Sequence, residues 1–225
     1  MDDVADLMLQ GGFESAGIDV SVATSESGAA ITNSISIYGQ RKGTGVLDTR
    51  GGSNSAGIGC GQDEGGNTAG TVVIHGGMVT ARVMDECSAA GIGGGCGYGP
   101  EDVSNGGTVI INGGKVTAYG GEYDGAGIGA GYRGDAGRIT INGGQVYAVG
   151  CPAGGAGIGG AWGSSGGAVA VNGGTVIAIG GTDAEMGGGA GIGAGFPGEG
   201  PLDPGTFTLD PNYTEACIVT GIGAI

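Results

Sequence analysis

Positive charge is scarce in this chain: 7 Lys and Arg stand against 22 Asp and Glu, a net of −15 (7 − 22). A surface of that sign repels nucleic-acid phosphates and anionic lipid, so polyanion binding is not expected. Histidine occurs once, at His75, which leaves a serine or cysteine nucleophile one imidazole partner in the whole chain. The 6 prolines and the lack of a Gly-X-Y period exclude a collagen triple helix. No apolar run approaches the roughly 18 residues of a membrane span, and Met1-Asp2-Asp3 has neither the basic nor the apolar region of a signal peptide. No direct membrane insertion is expected. The five cysteines, Cys60, Cys87, Cys96, Cys151 and Cys217, contain no Cys-x-x-Cys pair, so a zinc knuckle is not indicated. Their pairing stays open; a bridge such as Cys60 to Cys96 is compatible with the spacing but not required by it.

What is abundant is glycine, 61 of 225 residues, several times the average share. Each glycine inside a helix costs about 1 kcal/mol relative to alanine, so long helices are disfavoured. Hydrophobic residues still make up 39% and cluster in short runs, which argues against plain disorder. A turn-dense, all-β fold remains.

The glycines are ordered by a repeat. Ala56-Gly57-Ile58-Gly59 recurs at Ala90, Ala126, Ala156 and Ala190, at intervals of 34, 36, 30 and 34 residues. A second element, Ile111-Asn112-Gly113-Gly114, returns at Ile141 and Val171, with Ile74-His75-Gly76-Gly77 as an earlier copy. Looser copies at Leu9-Gln10-Gly11-Gly12, Ile37-Tyr38-Gly39 and Leu209-Asp210 bring the series to about seven units. Between these markers lie alternating segments rich in Val, Ile and Thr, such as Thr108–Asn112 and Lys115–Tyr119, which carry the period-2 signature of strands. Antiparallel blades use similar segments, but Gly-Gly corners repeated at one register are better explained by coils stacking on one another. The expected architecture is a right-handed parallel β-helix of about seven coils of 28–38 residues. It forms one array over residues 1–225, clearest over 51–200, with ends that read as truncated or atypical coils. In it Asn112, Asn142 and Asn172 form a line at one corner, bonding from coil to coil, and His75 occupies the same slot.

The Ala-Gly-Ile-Gly and Ile-Asn-Gly-Gly elements resemble the glycine-rich right-handed β-helix repeats of secreted and surface proteins of anaerobic gut bacteria. More distantly they are similar to the carbohydrate-binding β-helix modules of cellulose degraders. The resemblance covers about residues 50 to 200. It implies an adhesive or sugar-binding role, a secreted or cell-surface location and, in some members, calcium.

Candidate ligand residues come from the register. Six positions after each Ala-Gly-Ile-Gly alanine stand Gln62, Cys96, Tyr132, Trp162 and Phe196. Tyr132, Trp162 and Phe196 are therefore expected as an aromatic row, either accepting a neutral glycan by stacking or folding back over the glycine surface. Tyr98 and Tyr123 lie in nearby loops and widen either role. Loop carboxylates fall in pairs: Asp63-Glu64, Asp85-Glu86, Glu101-Asp102, Glu122 with Asp124, Asp183 with Glu185, and Glu199 with Asp203. They have neither EF-hand nor β-roll spacing, and the simplest reading is that they keep the chain soluble. For a bound Ca2+, Asp124 and Asp135 are the first candidates, because they flank one Ala-Gly-Ile-Gly element. Polysaccharide hydrolysis needs two carboxylates about 5–9.5 Å apart, and no dense cluster announces such a pair.

The expected function is thus a non-catalytic extracellular carbohydrate-binding or adhesion module. A structural spacer of a surface protein, a polysaccharide-degrading enzyme and an ice-binding face are the alternatives, the last opposed by the broken register of Thr80, Thr117 and Thr175. Open solenoid ends are expected to favour end-to-end self-association.

Overall fold

A computed structural model describes residues 6–25, 27–39, 45–62, 67–84, 87–97, 102–182, 187–198 and 200–212, together with the backbone of 217–220. Three parallel sheets run along the molecule, and the chain visits them in turn once per coil. The first holds seven strands, Asp6–Gln10, Val46–Arg50, Met78–Arg82, Lys115–Tyr119, Gln145–Val149, Thr175–Ile179 and Cys217–Thr220. The second is narrow, six two-residue strands made of Ile18–Asp19 and the Ile-Gly halves of the Ala-Gly-Ile-Gly elements. The third holds Ser34–Ile37, Thr71–Ile74, Thr108–Ile111, Arg138–Ile141, Ala168–Val171 and Thr206–Leu209. Parallel strands joined by crossovers within one sheet wind right-handed, so this is a right-handed parallel β-solenoid.

The expectation of seven coils is slightly high. Among the described residues two of the three sheets have six strands, which span five coil steps, and only the first sheet reaches seven. The miscount starts at Leu9-Gln10-Gly11-Gly12, which looks like a copy of Ile-Asn-Gly-Gly but lies in the first sheet, Leu9 opposite Thr49 and Gln10 opposite Arg50. A coil copy that sequence reading passed over is Ala16-Gly17-Ile18-Asp19, whose Ile18 pairs with Ile58. Aspartate in place of the final glycine hid it.

Registry makes the core. Val79, Val116, Val146 and Val176 stack on one another, as do Ala81, Ala118, Ala148 and Ala178. Ile74, Ile111, Ile141 and Val171 form a third column, and Ile58, Ile92, Ile128 and Ile158 a fourth. All are buried, and neighbours in a column sit one strand spacing, about 4.8 Å, apart. The backbone of the narrow sheet comes close enough to demand glycine: a Cβ on Gly93, Gly129 or Gly159 would lie 2.0–2.1 Å from the carbonyl oxygen of the next glycine in line. Their φ values of 130–134° are closed to other residues as well. Each element is tied off by a bond from its alanine N–H to the carbonyl four residues on, as in Ala126 to Ala130 at 3.2 Å.

At the Gly-Gly corner the asparagines form the expected line. Asn172 Nδ2 donates to Asn142 Oδ1, and Asn142 Nδ2 to Asn112 Oδ1, both at 2.8 Å. Asn112 Nδ2 lies 3.3 Å from His75 Nδ1, and Tyr38 stacks on the His75 ring at 4.4 Å between centres. His75 is therefore a corner residue with its ring held between an amide and an aromatic face.

Because every core side chain touches its own copies above and below, Ile128→Ala opens a cavity that no neighbour is shaped to fill. Denaturant titration is expected to show a loss of about 2–5 kcal/mol. Thr117→Ala, on the outer face of the first sheet, should change stability by no more than about 0.5 kcal/mol.

Candidate functional site

Two loop rows meet beside the narrow sheet. One comprises the residues two before each Ala-Gly-Ile-Gly alanine, Asn54, Ser88, Asp124, Gly154 and Gly188; the other the residues six after it. They are joined by a hydrogen bond that recurs from coil to coil: Cys96 N–H to Asn54 O at 2.8 Å, Tyr132 to Ser88 at 3.0 Å, Trp162 to Asp124 at 3.1 Å, and Phe196 to Gly154 at 2.7 Å. Each later residue is thereby set against the loop of the preceding coil. The result is an open groove of about 490 Å³ lined by Asn54, Ser88, Cys96, Gly97, Tyr123, Asp124, Tyr132, Ala153 and Trp162. Its size falls in the range of small-molecule sites.

The aromatic row forms as a column. Tyr132 and Trp162 lie 5.5 Å apart between ring centres and 7° from parallel; Trp162 and Phe196 are 6.4 Å apart and tilted by 34°. These rings cover glycine: a Cβ at Gly154 would meet Phe196 Cβ at 2.5 Å, one at Gly187 would meet Phe196 Cε2 at 2.3 Å, and one at Gly198 would meet Trp162 Cζ2 at 3.0 Å. The guanidinium carbon of Arg133 sits over the Tyr132 ring, 5.1 Å from its centre. Stacked on one another, the rings do not offer successive faces to an extended sugar chain; they frame one wall of the groove. Tyr132 and Trp162 line it, Phe196 stands beyond them, and Tyr123, 52% exposed, adds a ring that projects into solvent. Tyr98 lies outside the described residues.

The polar part of the groove centres on Asp124, half-buried, whose Oδ2 accepts a 2.8 Å hydrogen bond from Ser88 Oγ. Burial raises the carboxyl above the ordinary value of 3.8, and the Ser88 bond pulls it back in part. Burial, reinforced by the Asp124 charge, pushes the Cys96 thiol up to about 12. Cys151, pushed up to about 11 chiefly by burial, donates to Tyr123 O at 3.2 Å. A thiol at these values is no nucleophile near neutral pH. Cys60, Cys87, Cys96 and Cys151 are buried as thiols, so the Cys60–Cys96 bridge is not formed. Cys60 stands four residues after its Ala-Gly-Ile-Gly alanine and Cys96 six after, in different columns. Cys60 Sγ instead accepts the Gly95 N–H at 3.1 Å.

Asp135 does not join Asp124 in the groove; it is exposed, and its N–H donates to Asn105 Oδ1 at 2.8 Å. Among the described residues no three His, Cys, Asp or Glu side chains are grouped to hold a metal, while Ca2+ takes six to eight oxygens. Of the carboxylate pairs, Asp63-Glu64, Asp85-Glu86, Glu101, Asp183 with Glu185, and Glu199 lie outside the described residues. Among the described residues lining the groove, Asp124 is the one carboxylate. Asn54 and Ser88 are site residues that sequence reading missed, although they share the offset of Asp124 from their Ala-Gly-Ile-Gly elements.

A carboxyl whose folded pKa is raised is destabilising once ionised, and the penalty accrues as pH rises from the unfolded value of 3.8 through the raised one. Asp124→Asn removes the charge and keeps an acceptor for Ser88. Its melting temperature relative to the parent should therefore increase from pH 3.5 to pH 7; a difference that stays flat or falls contradicts the assignment.

Three stretches of the chain, 72–96, 109–132 and 139–164, match the family model described as Beta helix repeat. No curated protein and no solved structure matches. The matched stretches run from the third sheet through the first and the narrow sheet to the loop row that holds Cys96, Tyr132 and Trp162, so what repeats in this chain is the right-handed parallel beta-helix coil.

Proposed function

We propose that this chain is a non-catalytic carbohydrate-binding module, serving adhesion or substrate attachment outside the cell, with its site in the groove around Asp124. The observation that carries this reading is the pairing, in one groove, of polar side chains with aromatic rings. Asp124, Asn54 and Ser88 supply acceptors and donors suited to vicinal hydroxyls, and Tyr123, Tyr132 and Trp162 supply apolar walls. The destabilising carboxylate supports it, since groups that cost stability concentrate at functional sites. A neutral glycan suits the net charge of −15 better than an acidic one. Hydrolysis is disfavoured because the described lining contains one carboxylate where two are needed.

The second reading is a structural spacer. It is favoured by the packing of Trp162 and Phe196 over Gly154, Gly187 and Gly198, which gives those rings a purely structural task. The two readings separate on linkage, because a ligand at 100 times its Kd raises stability by about 2.7 kcal/mol and a spacer has no such ligand. In a glycan-panel thermal shift assay at least one neutral glycan should raise the melting temperature. Tyr123→Ala, which removes an exposed ring outside the stack, should weaken that binding about tenfold or more while leaving the ligand-free melting temperature unchanged. A panel of neutral and charged glycans without any shift contradicts the binding reading.

A further inference from the structure

The charge inside the groove narrows the ligand further, resting on the glycan reading above. Asp124 is half-buried beside three aromatic side chains, and the one side-chain hydrogen bond it receives comes from the neutral Ser88. Among the described residues it has no cationic partner: Arg82 pairs with Asp48 at 3.0 Å, and the guanidinium of Arg133 is placed over the Tyr132 ring. The Asp124 charge in turn raises the thiols of Cys96 and Cys151, neither of which offers it a positive charge. The carboxylate thus retains open lone pairs, in a partly desolvated setting where a cation is worth more than in water. Tyr132 holds one cation, the Arg133 guanidinium, over its ring, so positive charge is compatible with this wall. The whole molecule, at −15, also draws cations toward it.

We infer that the groove binds glycans bearing free primary amines, the sugar ammonium pairing with the Asp124 carboxylate beside Ser88 while the pyranose body lies against Tyr123, Tyr132 and Trp162. A polymer of glucosamine type fits this chemistry: each residue carries an apolar ring face, hydroxyls and an ammonium. An N-acetylated residue offers a neutral amide in place of the charge and leaves the half-buried Asp124 without a charged partner. A lysine-rich peptide has the charge without the ring.

The test compares tetramers of glucosamine and of N-acetylglucosamine, which share a backbone and differ only at nitrogen. Titration calorimetry is run at about pH 6.5, below the ordinary α-amino value of about 7.7, and at about 0.15 M salt, where long-range attraction is screened. The amine tetramer should bind at least about tenfold tighter, the scale of a hydrogen bond between charged groups. Asp124→Asn, nearly isosteric and checked by its melting curve, should abolish that preference. Equal binding of the two tetramers overturns the inference and leaves glycan binding standing. Binding of neither tetramer overturns it too, and glycan binding then depends on the neutral panel. A lysine tetrapeptide bound as tightly as the amine sugar overturns the ligand class, as does an amine preference that survives in the Asp124→Asn variant.

Discussion

The approach of one backbone to the next along the narrow sheet is the constraint on which the rest depends. A glycine carbonyl lies about 2 Å from where the preceding glycine would carry a Cβ, in a conformation closed to other residues. That contact sets the position of each coil upon the last. Once it is set, every valine, alanine and isoleucine of the inner face meets its own copy, and a core forms from columns of like residues with little need for large side chains. The abundance of glycine is then the condition for tight stacking, although glycine otherwise weakens a strand.

The same registry builds the groove. The narrow sheet is two residues wide, so the loops on either side of it are brought together, and a backbone bond from each coil to the previous one holds them there. Ser88, Asp124, Tyr132 and Trp162 come from three coils and converge because stacking aligns their loops. Loops supply the variable chemistry and the solenoid supplies the placement, the usual division between scaffold and function.

Much of this was legible in the amino-acid order. The Ala-Gly-Ile-Gly and Ile-Asn-Gly-Gly elements gave the coil, the strands and the asparagine line, because registry makes identical side chains neighbours. Counting six residues onward found Tyr132, Trp162 and Phe196 in one column. The orientation of their rings was not legible: position in a repeat fixes the column, whereas side-chain rotation depends on packing against Gly154, Gly187 and Gly198 in loops of differing length. Asn54 and Ser88 escaped because asparagine, serine and aspartate share an offset without sharing a residue type. The first coil was misread for a similar reason, Asp19 standing where the repeat has glycine.

The central claim is that ligand contact concentrates where the two loop rows meet. Hydrogen–deuterium exchange, measured with and without a saturating glycan, tests it most directly. The account predicts added protection in segments containing Ser88, Tyr123, Asp124, Tyr132 and Trp162, with the outer face of the first sheet around Lys115, Tyr147 and Ile177 unchanged. Protection on that outer face with none in the loops would contradict it.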